Sequence, residues 1–245
     1  MSRSKLEKFA ENRTFPNFFQ WEGEDFSQEA HFPMRGHWHE RFFRNDHPIV
    51  LELACGRGEY TVGMAERDPQ RNFIGVDRKG ARMWKGCKYS VVNNMPNVAF
   101  LRTQIQYLPC YFAEGEVQEI WITFPDPQPR NCKENKRLTS EYHLSVYNRV
   151  LAPDGTVHLK TDSDFFLDFT LETLQRLQLP VLCLQRDIYR NGMPDPRLEI
   201  KTYYESMWLE QGKAIHYLVF SLKGLQTATT QWRCLPDRWR PPTEI

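Results

Sequence analysis

The sequence predicts an α/β fold built on a mainly parallel β-sheet. Short apolar segments alternate along the chain with segments of helical periodicity, and this alternation requires crossover connections between parallel strands. Polar and charged residues follow several of the apolar segments, and in such sheets ligands bind beyond the carboxyl ends of the strands. The 245 residues are enough for one large domain, or for one domain with extensions.

The first predicted strand follows an aromatic-rich segment. Residues 1–48 combine many aromatic side chains with irregular, proline-containing stretches, which predicts an extension packed on a core. The apolar run Ile49–Ala54 ends at a pair of glycines and predicts a buried strand, and Glu59–Arg67 predicts the helix that follows it.

The remaining elements follow in regular order. Three further strands are predicted at Asn72–Asp77, Val98–Thr103 and Val117–Pro125. Three helices are predicted at Ala81–Asn94, Thr139–Leu151 and Asp164–Leu177. The turn Pro153-Asp154-Gly155 is predicted to separate the second of these helices from a strand over Thr156–Asp162, and Ala214–Leu222 predicts a last strand.

The overall charge does not indicate a partner. Lys and Arg total 32 and Asp and Glu total 31, a net charge of +1, so binding to nucleic acid would have to show as local basic patches. The sequence contains no apolar run of the roughly 20 residues that a membrane helix needs, and its start lacks the apolar stretch of a secretory signal. A soluble, cytoplasmic protein without membrane association is expected.

Cysteines and histidines predict neither disulfides nor a metal site. The six cysteines include no C-x-x-C pair, and in a large chain without a secretory signal free thiols are expected. His31, His37 and His39 lie close together beside Glu40, which is compatible with a metal site. Because no second cluster with zinc spacing accompanies them, packed or hydrogen-bonded histidines are expected instead.

The end of the first strand predicts a site for an adenosine-type cofactor. Gly56 and Gly58 permit a tight turn and a close approach of a ligand to the backbone. Asp77 ends the second strand, where an acid can accept hydrogen bonds from two ribose hydroxyls. A nicotinamide cofactor would require G-x-G-x-x-G, and Thr61 stands at the third glycine. S-adenosylmethionine needs a looser turn and an acid before it, which Glu52 supplies.

The end of the fourth strand predicts a rigid acidic loop. Pro125, Pro127 and Pro129 stiffen this exit and hold Asp126 at the carboxyl edge of the sheet. Two groups of cations are candidates for RNA-binding surfaces, with Trp84 and Tyr89 interleaved in the first. The groups are Arg78, Lys79, Arg82, Lys85 and Lys88, and Arg130, Lys133, Lys136 and Arg137. A solvated face is the alternative for each group, and the second group is favoured for RNA because it borders the proposed active site. Trp232, Arg233 and Trp239 in the tail either contact RNA or pack on the domain.

Five segments, in order, closely resemble the bacterial tRNA (guanine-N7-)-methyltransferases: LELACGRG, GVDRKG, TFPDPQPRNCKENKRLTS, HLKTD and KTYYE. The resemblance runs from about residue 49 to about residue 222. It implies a Rossmann-like class I methyltransferase fold, with an antiparallel last strand and helices on both faces of the sheet. The implied organisation is an extension at 1–48, a catalytic domain at 49–223 and a tail at 224–245. The implied reaction is methylation of guanosine 46 in the variable loop of tRNA.

The resemblance also implies roles for individual residues. Those implied to bind S-adenosylmethionine are Glu52, Gly56, Gly58, Asp77, Gln104 and Asp126. Asp126 is also implied to be catalytic. The implied substrate contacts are Arg130, Asp162, Thr202 and Glu205. The chain departs from the family at Ala54, Gln104 and Gln128, which replace a glycine, a frequent Asp and a common Trp.

The chemistry of guanine agrees with these roles. Guanine N7 already has a free lone pair, so methyl transfer needs positioning and electrostatics rather than a general base. A carboxylate such as Asp126 would stabilise the cation that develops on the base, and Glu205 is expected to accept hydrogen bonds from guanine N1–H and the N2 amino group. Two alternatives remain, a cofactor-binding RNA-binding or scaffold protein without turnover and a nicotinamide dehydrogenase. The sequence does not distinguish a monomer from a homodimer.

Overall fold

The computed structural model describes residues 4–21 and 32–226, and it confirms the predicted α/β fold. One eight-stranded sheet has the order β1-β4-β3-β2-β5-β6-β8-β7. The pairs from β1 to β6 are parallel, and β8 is antiparallel to both β6 and β7. The strands are β1 (Phe18–Gln20), β2 (Ile49–Leu53), β3 (Asn72–Asp77), β4 (Val98–Arg102), β5 (Val117–Thr123), β6 (Leu151–Thr161), β7 (Val181–Gln185) and β8 (His216–Ser221).

The helices of the described residues lie around this sheet. They are α1 (Lys5–Asn12), α2 (Glu59–Arg67), α3 (Gly80–Val92), α4 (Leu108–Tyr111), α5 (Glu141–Tyr147), α6 (Asp164–Arg176), α7 (Ile188–Asn191) and α8 (Tyr203–Glu210). Shorter turns of 3₁₀-helix occur at Ile105–Tyr107, Asn131–Lys136 and Pro196–Glu199, and a π-helical turn at His39–Phe43.

Alternation along the strands divides the core between the two faces of the sheet. Leu51 belongs to an apolar cluster that includes side chains of α5 and α6, whereas its neighbour Val50 belongs to a cluster with side chains of α2 and α3. Side chains of a strand point alternately to opposite faces, so both faces of β2 are covered. This burial on both faces explains why all residues of Ile49–Leu53 except Glu52 are apolar.

The segment before β2 packs closely on the sheet. Trp38 is fully buried; its indole N–H donates to the carbonyl of Tyr111 at 3.0 Å, and its ring stacks on Phe112 with centroids 5.5 Å apart. Because β1 pairs with β4, this segment also supplies an edge strand of the sheet. The α1 helix begins with a capping box between Ser4 and Glu7 and packs along α3.

Two predicted elements differ from the observed ones. The helix predicted at Thr139–Leu151 is only Glu141–Tyr147. The turn predicted at residues 153–155 lies inside β6, opposite a register shift between Val117 and Glu119. The chain leaves the helix early because Leu151 pairs with Val117. The elements that the sequence analysis did not predict include α1, α8 and the edge strands β1 and β7.

The described cysteines, Cys55, Cys87, Cys110, Cys132 and Cys183, are free thiols, and Cys234 lies outside the described residues. Within residues 4–21 and 32–226, none of the helices combines the length and apolar character that crossing a bilayer requires. Most of the tail at 224–245, with Trp232, Arg233 and Trp239, also lies outside the described residues.

Candidate functional site

A cleft of about 430 Å³ opens at the carboxyl edge of the sheet. Its walls come from the loop after β2, the end of β5 and the first turn of α8, and its volume is in the range of small-molecule sites. Glu52 lines it from the end of β2 and Gly56 from the loop that follows, and Thr123 and Phe124 line it from the end of β5. Of the predicted site residues, Glu52, Gly56 and Thr202 line the cleft. The others do not line it: Gly58, Asp77, Gln104, Asp126, Arg130, Asp162 and Glu205.

The loop between β2 and α2 depends on left-handed backbone. Ala54, Gly56 and Gly58 have φ values of 57°, 57° and 74°. At Gly58 a Cβ atom would lie 2.5 Å from Cε1 of Phe100, so this position excludes any side chain. Ala54 adopts the same conformation with a Cβ, which is unfavourable for a residue other than glycine. A glycine at position 54 would adopt this conformation without that cost.

Glu52 is the buried acid of the cleft, with 2% of its surface exposed. Its carboxylate accepts hydrogen bonds from the backbone N–H of Thr61 at 2.7 Å, from the Thr61 hydroxyl, and from the Thr123 hydroxyl at 2.7 Å. Burial raises the pKa of the Glu52 carboxyl from its ordinary 4.5 to about 7, and the bonds from the two threonines oppose that rise. Glu52 thereby connects β2, β5 and the start of α2.

Asp77 holds the glycine loop from the neighbouring strand. Its Oδ2 accepts from the N–H of Gly56 at 3.0 Å, and its Oδ1 accepts from the N–H of Lys79 at 2.8 Å. Each carboxylate oxygen has a second lone pair, but Asp77 is buried and does not line the cleft.

The donors of this loop do not suit a pyrophosphate. A dinucleotide phosphate needs free backbone N–H groups at the start of the helix. Here the N–H of Gly56 is donated to Asp77 and that of Thr61 to Glu52. Both carboxylates are buried; Glu52 lines the cleft, and Asp77 does not. The engagement of these two donors, with the buried Glu52 in the cleft, favours a cofactor without phosphate over a nicotinamide dinucleotide.

Four predicted site residues lie at or beyond the carboxyl ends of four neighbouring strands. Glu52, Asp77 and Gln104 lie at or just after the ends of β2, β3 and β4, and Asp126 follows β5. Gln104 is half-buried and precedes the 3₁₀ turn Ile105–Tyr107. The parallel order of these strands brings all four residues to the same edge of the sheet.

The proline-rich loop leaves β5 through a sharp turn. Phe124 has a φ of 48° and Gln128 a φ of 46°, so left-handed residues bracket the loop. The N–H of Phe124 donates to the carbonyl of Lys160 at 2.8 Å. Asp126 is exposed, and its Oδ1 accepts from the N–H of Gln128 at 3.1 Å. The loop therefore presents a carboxylate to solvent beside the cleft wall formed by Phe124.

Arg137 corrects the prediction of a four-residue RNA-binding cluster. It is 3% exposed, and its guanidinium lies 4.8 Å and 4.3 Å from the ring centroids of Phe165 and Phe169. Its Nε donates to the carbonyl of Gln128 at 3.1 Å, and its Nη2 to that of Pro129 at 3.4 Å. Arg137 thus anchors the acidic loop from inside the protein.

The other members of the second cation group face the surface. Arg130 and Lys136 are exposed and Lys133 is half-buried. Arg130 immediately precedes the 3₁₀ turn Asn131–Lys136, and both lysines lie in that turn. These three cations are next to the acidic loop and remain candidates for contact with RNA phosphates.

The T-x-x-E motif forms the start of α8. The Thr202 hydroxyl accepts from the N–H of Glu205 at 3.2 Å, and the Glu205 carboxylate accepts from the N–H of Thr202 at 3.4 Å, which is a capping box. Thr202 lines the cleft. Asp162 forms an ion pair with Lys213 at 3.0 Å.

The structure places Glu205 away from solvent, unlike the prediction that it reads the guanine edge. Glu205 is 0% exposed, and its carboxylate binds Lys160 at 2.7 Å and the Tyr189 hydroxyl at 2.9 Å. With these bonds and the cap of α8, the carboxylate presents no pair of acceptors to an incoming base. Its position instead fixes the first turn of α8 against β6.

The first cation group is partly engaged with α1. The Trp84 indole N–H donates to Glu11 at 2.6 Å, and Lys88 lies 3.1 Å from the same carboxylate. The Tyr89 hydroxyl donates to Glu66 at 2.8 Å. Arg82 and Lys85 are exposed and line the cleft, as does the half-buried Lys8 of α1. The rim of the cleft is therefore basic, around the buried Glu52.

The histidines near the start of the chain make hydrogen bonds within the protein. Nδ1 of His37 lies 3.2 Å from the Glu40 carboxylate, and Nε2 of His39 lies 2.9 Å from the carbonyl of His47. His31 is outside the described residues. In the described part of the chain, no three His, Cys, Asp or Glu side chains come together as a metal site.

The sequence analysis did not identify several residues of the cleft. Thr123 supplies a hydroxyl to Glu52, and Arg57, Tyr203 and Tyr204 line the cleft. Both tyrosines belong to the KTYYE segment, in which the sequence analysis assigned roles to Thr202 and Glu205 only. Thr123 has no local signal, because its partner lies 71 residues away.

Comparisons with known proteins place this cleft in context. A family model described as a putative methyltransferase matches residues 46–218. A tRNA (guanine-N(7)-)-methyltransferase of Bacteroides thetaiotaomicron is 50% identical over 222 residues, covering 91% of this chain and 87% of its own. The protein of the same name from Porphyromonas gingivalis is 54% identical over 211 residues, covering 85% and 86%.

A solved structure has the same fold at low sequence identity. The 16S rRNA methyltransferase KamB superposes with a TM-score of 0.58 over 74% of this chain and 90% of its own, at 13% identity. The likeness at this identity concerns the fold alone.

Proposed function

The chain belongs to the tRNA (guanine-N7-)-methyltransferase family, and on that premise we propose that it methylates N7 of guanosine 46 in the variable loop of tRNA. The observation that carries this proposal is the shared edge of the sheet. There, the buried carboxylates Glu52 and Asp77 of the cofactor half lie at the ends of strands beside the loop that carries the exposed Asp126.

We propose S-adenosylmethionine as the cofactor, which when bound supplies the methyl group from a positively charged sulfonium. Asp77 would hold the ribose hydroxyls through its remaining lone pairs, and Gln104 would accept from the adenine amino group. Glu52 orients the start of α2 through Thr61 and the end of β5 through Thr123. Gly56 keeps the backbone free of a side chain where it lines the cleft, and Gly58 leaves room for the ring of Phe100.

The role proposed for Asp126 is electrostatic. The lone pair of guanine N7 attacks without loss of a proton, so the base becomes positively charged as the methyl group arrives. A carboxylate held on a stiff loop stabilises such developing charge without reorganising. Arg137 and the prolines keep the loop in place, and Arg130, Lys133 and Lys136 would hold the RNA backbone near it. Asp162 and Thr202 are proposed to position the nucleotide from the other side.

Incubation with unmodified tRNA and labelled S-adenosylmethionine tests the function. Formation of N7-methylguanosine is mapped by aniline-induced cleavage, which should occur at position 46. A tRNA with adenosine at that position serves as the matched control and should take up no label there. Label without cleavage at position 46 would exclude the proposed site, and absence of label would favour a binding protein without turnover.

The setting of the enzyme is proposed from its substrate. Because tRNA modification takes place where tRNA matures and is used, we place the enzyme in the cytoplasm. We also propose that residues 49–223 carry the catalytic domain, with 1–48 as an extension and 224–245 as a tail.

A further inference from the structure

Two adjacent tyrosines that line the cleft expose about half of their surface to solvent. Tyr203 is 55% exposed and Tyr204 is 47% exposed, and both line the cleft. They occupy the first turn of α8. Burying a large aromatic side chain is favourable, so leaving it in water forgoes that stabilisation. Adjacent exposed rings that line a cleft therefore indicate a surface that a bound ligand covers.

The first of these rings is held by the cofactor loop. The guanidinium carbon of Arg57, which lies between Gly56 and Gly58, is 5.5 Å from the centroid of the Tyr203 ring. The N–H of Tyr203 donates to the carboxylate of Glu59 at 3.1 Å. The ring of Tyr203 is thus contacted by the loop after β2, and its backbone N–H by the first residue of α2.

The same turn is anchored from the opposite side. Lys160 binds the Glu205 carboxylate at 2.7 Å and donates to the carbonyls of Leu198 and Ile200 at 2.8 Å and 3.1 Å. Glu205 in turn caps α8 at Thr202. The backbone that carries Tyr203 is therefore fixed at two points while its ring stays exposed.

A fixed, exposed aromatic ring beside a guanidinium has the chemistry of a platform for an unstacked base. We propose that Tyr203, held by Arg57, is the surface on which the target guanine stacks when it enters the cleft; this rests on the proposed function. The rings of Tyr203 and Tyr204 are inclined at 74° with centroids 5.7 Å apart, so they cannot both lie parallel to one base. The contact with Arg57 assigns the stacking role to Tyr203.

Steady-state kinetics with three variants test the platform. Tyr203→Leu keeps an apolar side chain but loses the ring, and should lower kcat/KM for tRNA by about 10- to 100-fold, the range for loss of one base–aromatic stack. Tyr203→Phe keeps the ring and should stay close to the wild type. The matched control is Tyr142→Leu, a tyrosine of α5 that is 40% exposed, which should change nothing. The Kd of S-adenosylhomocysteine should stay within about twofold in all variants.

A tRNA with 2-aminopurine in place of the target guanosine gives a readout that needs no methyl transfer. Stacking on an aromatic ring quenches 2-aminopurine, so complexes of the wild type and Tyr203→Phe should be dimmer than that of Tyr203→Leu. Failure of the wild type to form N7-methylguanosine would reject the proposed function, and this fluorescence would still decide the platform. The platform would be overturned if Tyr203→Leu matched the wild type in both fluorescence and kinetics. It would also be overturned if Tyr203→Phe were as impaired as Tyr203→Leu, or if Tyr203→Leu lost affinity for S-adenosylhomocysteine in parallel.

Discussion

Nζ of Lys160 lies 2.7 Å from Oε1 of Glu205, and both side chains are 0% exposed. The two residues come from the HLKTD and KTYYE segments, so this ion pair joins β6 to the start of α8. Burial lowers the pKa of Lys160, and the neighbouring Glu205 opposes that change. The pair fixes the turn that carries Thr202 and Tyr203 at the cleft.

Removing one member of this pair should destabilise the protein. Lys160→Met leaves the Glu205 charge buried without its cation, which costs about 3–5 kcal/mol in comparable sites. The double variant Lys160→Met/Glu205→Gln removes both charges and keeps an acceptor for the N–H of Thr202. Its loss of unfolding free energy should be clearly smaller than the sum of the two single losses. Urea denaturation measures all four proteins, and additive losses would show that the pair is not coupled.

The carboxyl of Glu52 should make stability depend on pH. Its pKa is raised to about 7 in the folded protein. At pH values between the unfolded and the folded pKa, the folded protein therefore binds more protons than the unfolded chain. Its contribution is complete below the unfolded pKa and is lost as pH rises through about 7. The unfolding free energy of the wild type relative to Glu52→Gln should fall by on the order of 2–3 kcal/mol from pH 5 to pH 8. Urea titrations at both pH values decide this, and a constant difference would contradict it.

The left-handed backbone at Ala54 predicts a stabilising substitution. Ala54 has a φ of 57°, and Ala54→Gly should relieve about 1 kcal/mol of strain. The matched change in the opposite direction is Gly58→Ala. It should destabilise the protein, because a Cβ at this position would lie 2.5 Å from Phe100. Thermal and urea denaturation compare the two. A loss of stability in Ala54→Gly would show that the strain is not local.

The acidic loop predicts a defect in turnover rather than in RNA binding. Asp126→Asn keeps the shape of the side chain and removes its charge, so kcat should fall about 100- to 1000-fold. The tRNA affinity should change little, because the unreacted base carries no charge there. Measuring kcat and KM over a range of S-adenosylmethionine concentrations separates the roles. Full rescue by excess S-adenosylmethionine would identify Asp126 as a cofactor ligand alone.

The cations beside this loop predict a salt-dependent effect. Changing Arg130, Lys133 and Lys136 together to Ala should lower the slope of log Kd for tRNA against log salt by about 2–3 units, because each phosphate contact contributes just under one. Arg137 is left intact because it anchors the loop. The control replaces exposed cations at the ends of α2, α6 and β8. These are Arg67, Arg176 and Lys223. Equal slopes for both triple variants would show that the cluster is only a solvated surface.

Local patterns were sufficient for much of the fold. The predicted bounds of Asn72–Asp77 and Glu59–Arg67 agree with the observed strand and helix, because an apolar run between turn residues and an uninterrupted helical pattern are properties of contiguous residues. The parallel topology follows from the alternation of such elements. That topology was also sufficient to predict that Glu52, Asp77, Gln104 and Asp126 lie at or beyond strand ends on one edge of the sheet.

Only the tertiary structure decided which charged residues lie in solvent. Arg137 and Glu205 have the residue types of RNA and base contacts, but one is buried against Phe165 and Phe169 and the other against Lys160. A charged side chain leaves water only where a counter-ion, an aromatic face or carbonyl groups replace its hydration. Those partners come from segments that are distant in the sequence, so a local pattern names the chemistry of a side chain while the assembled fold determines where that chemistry is used.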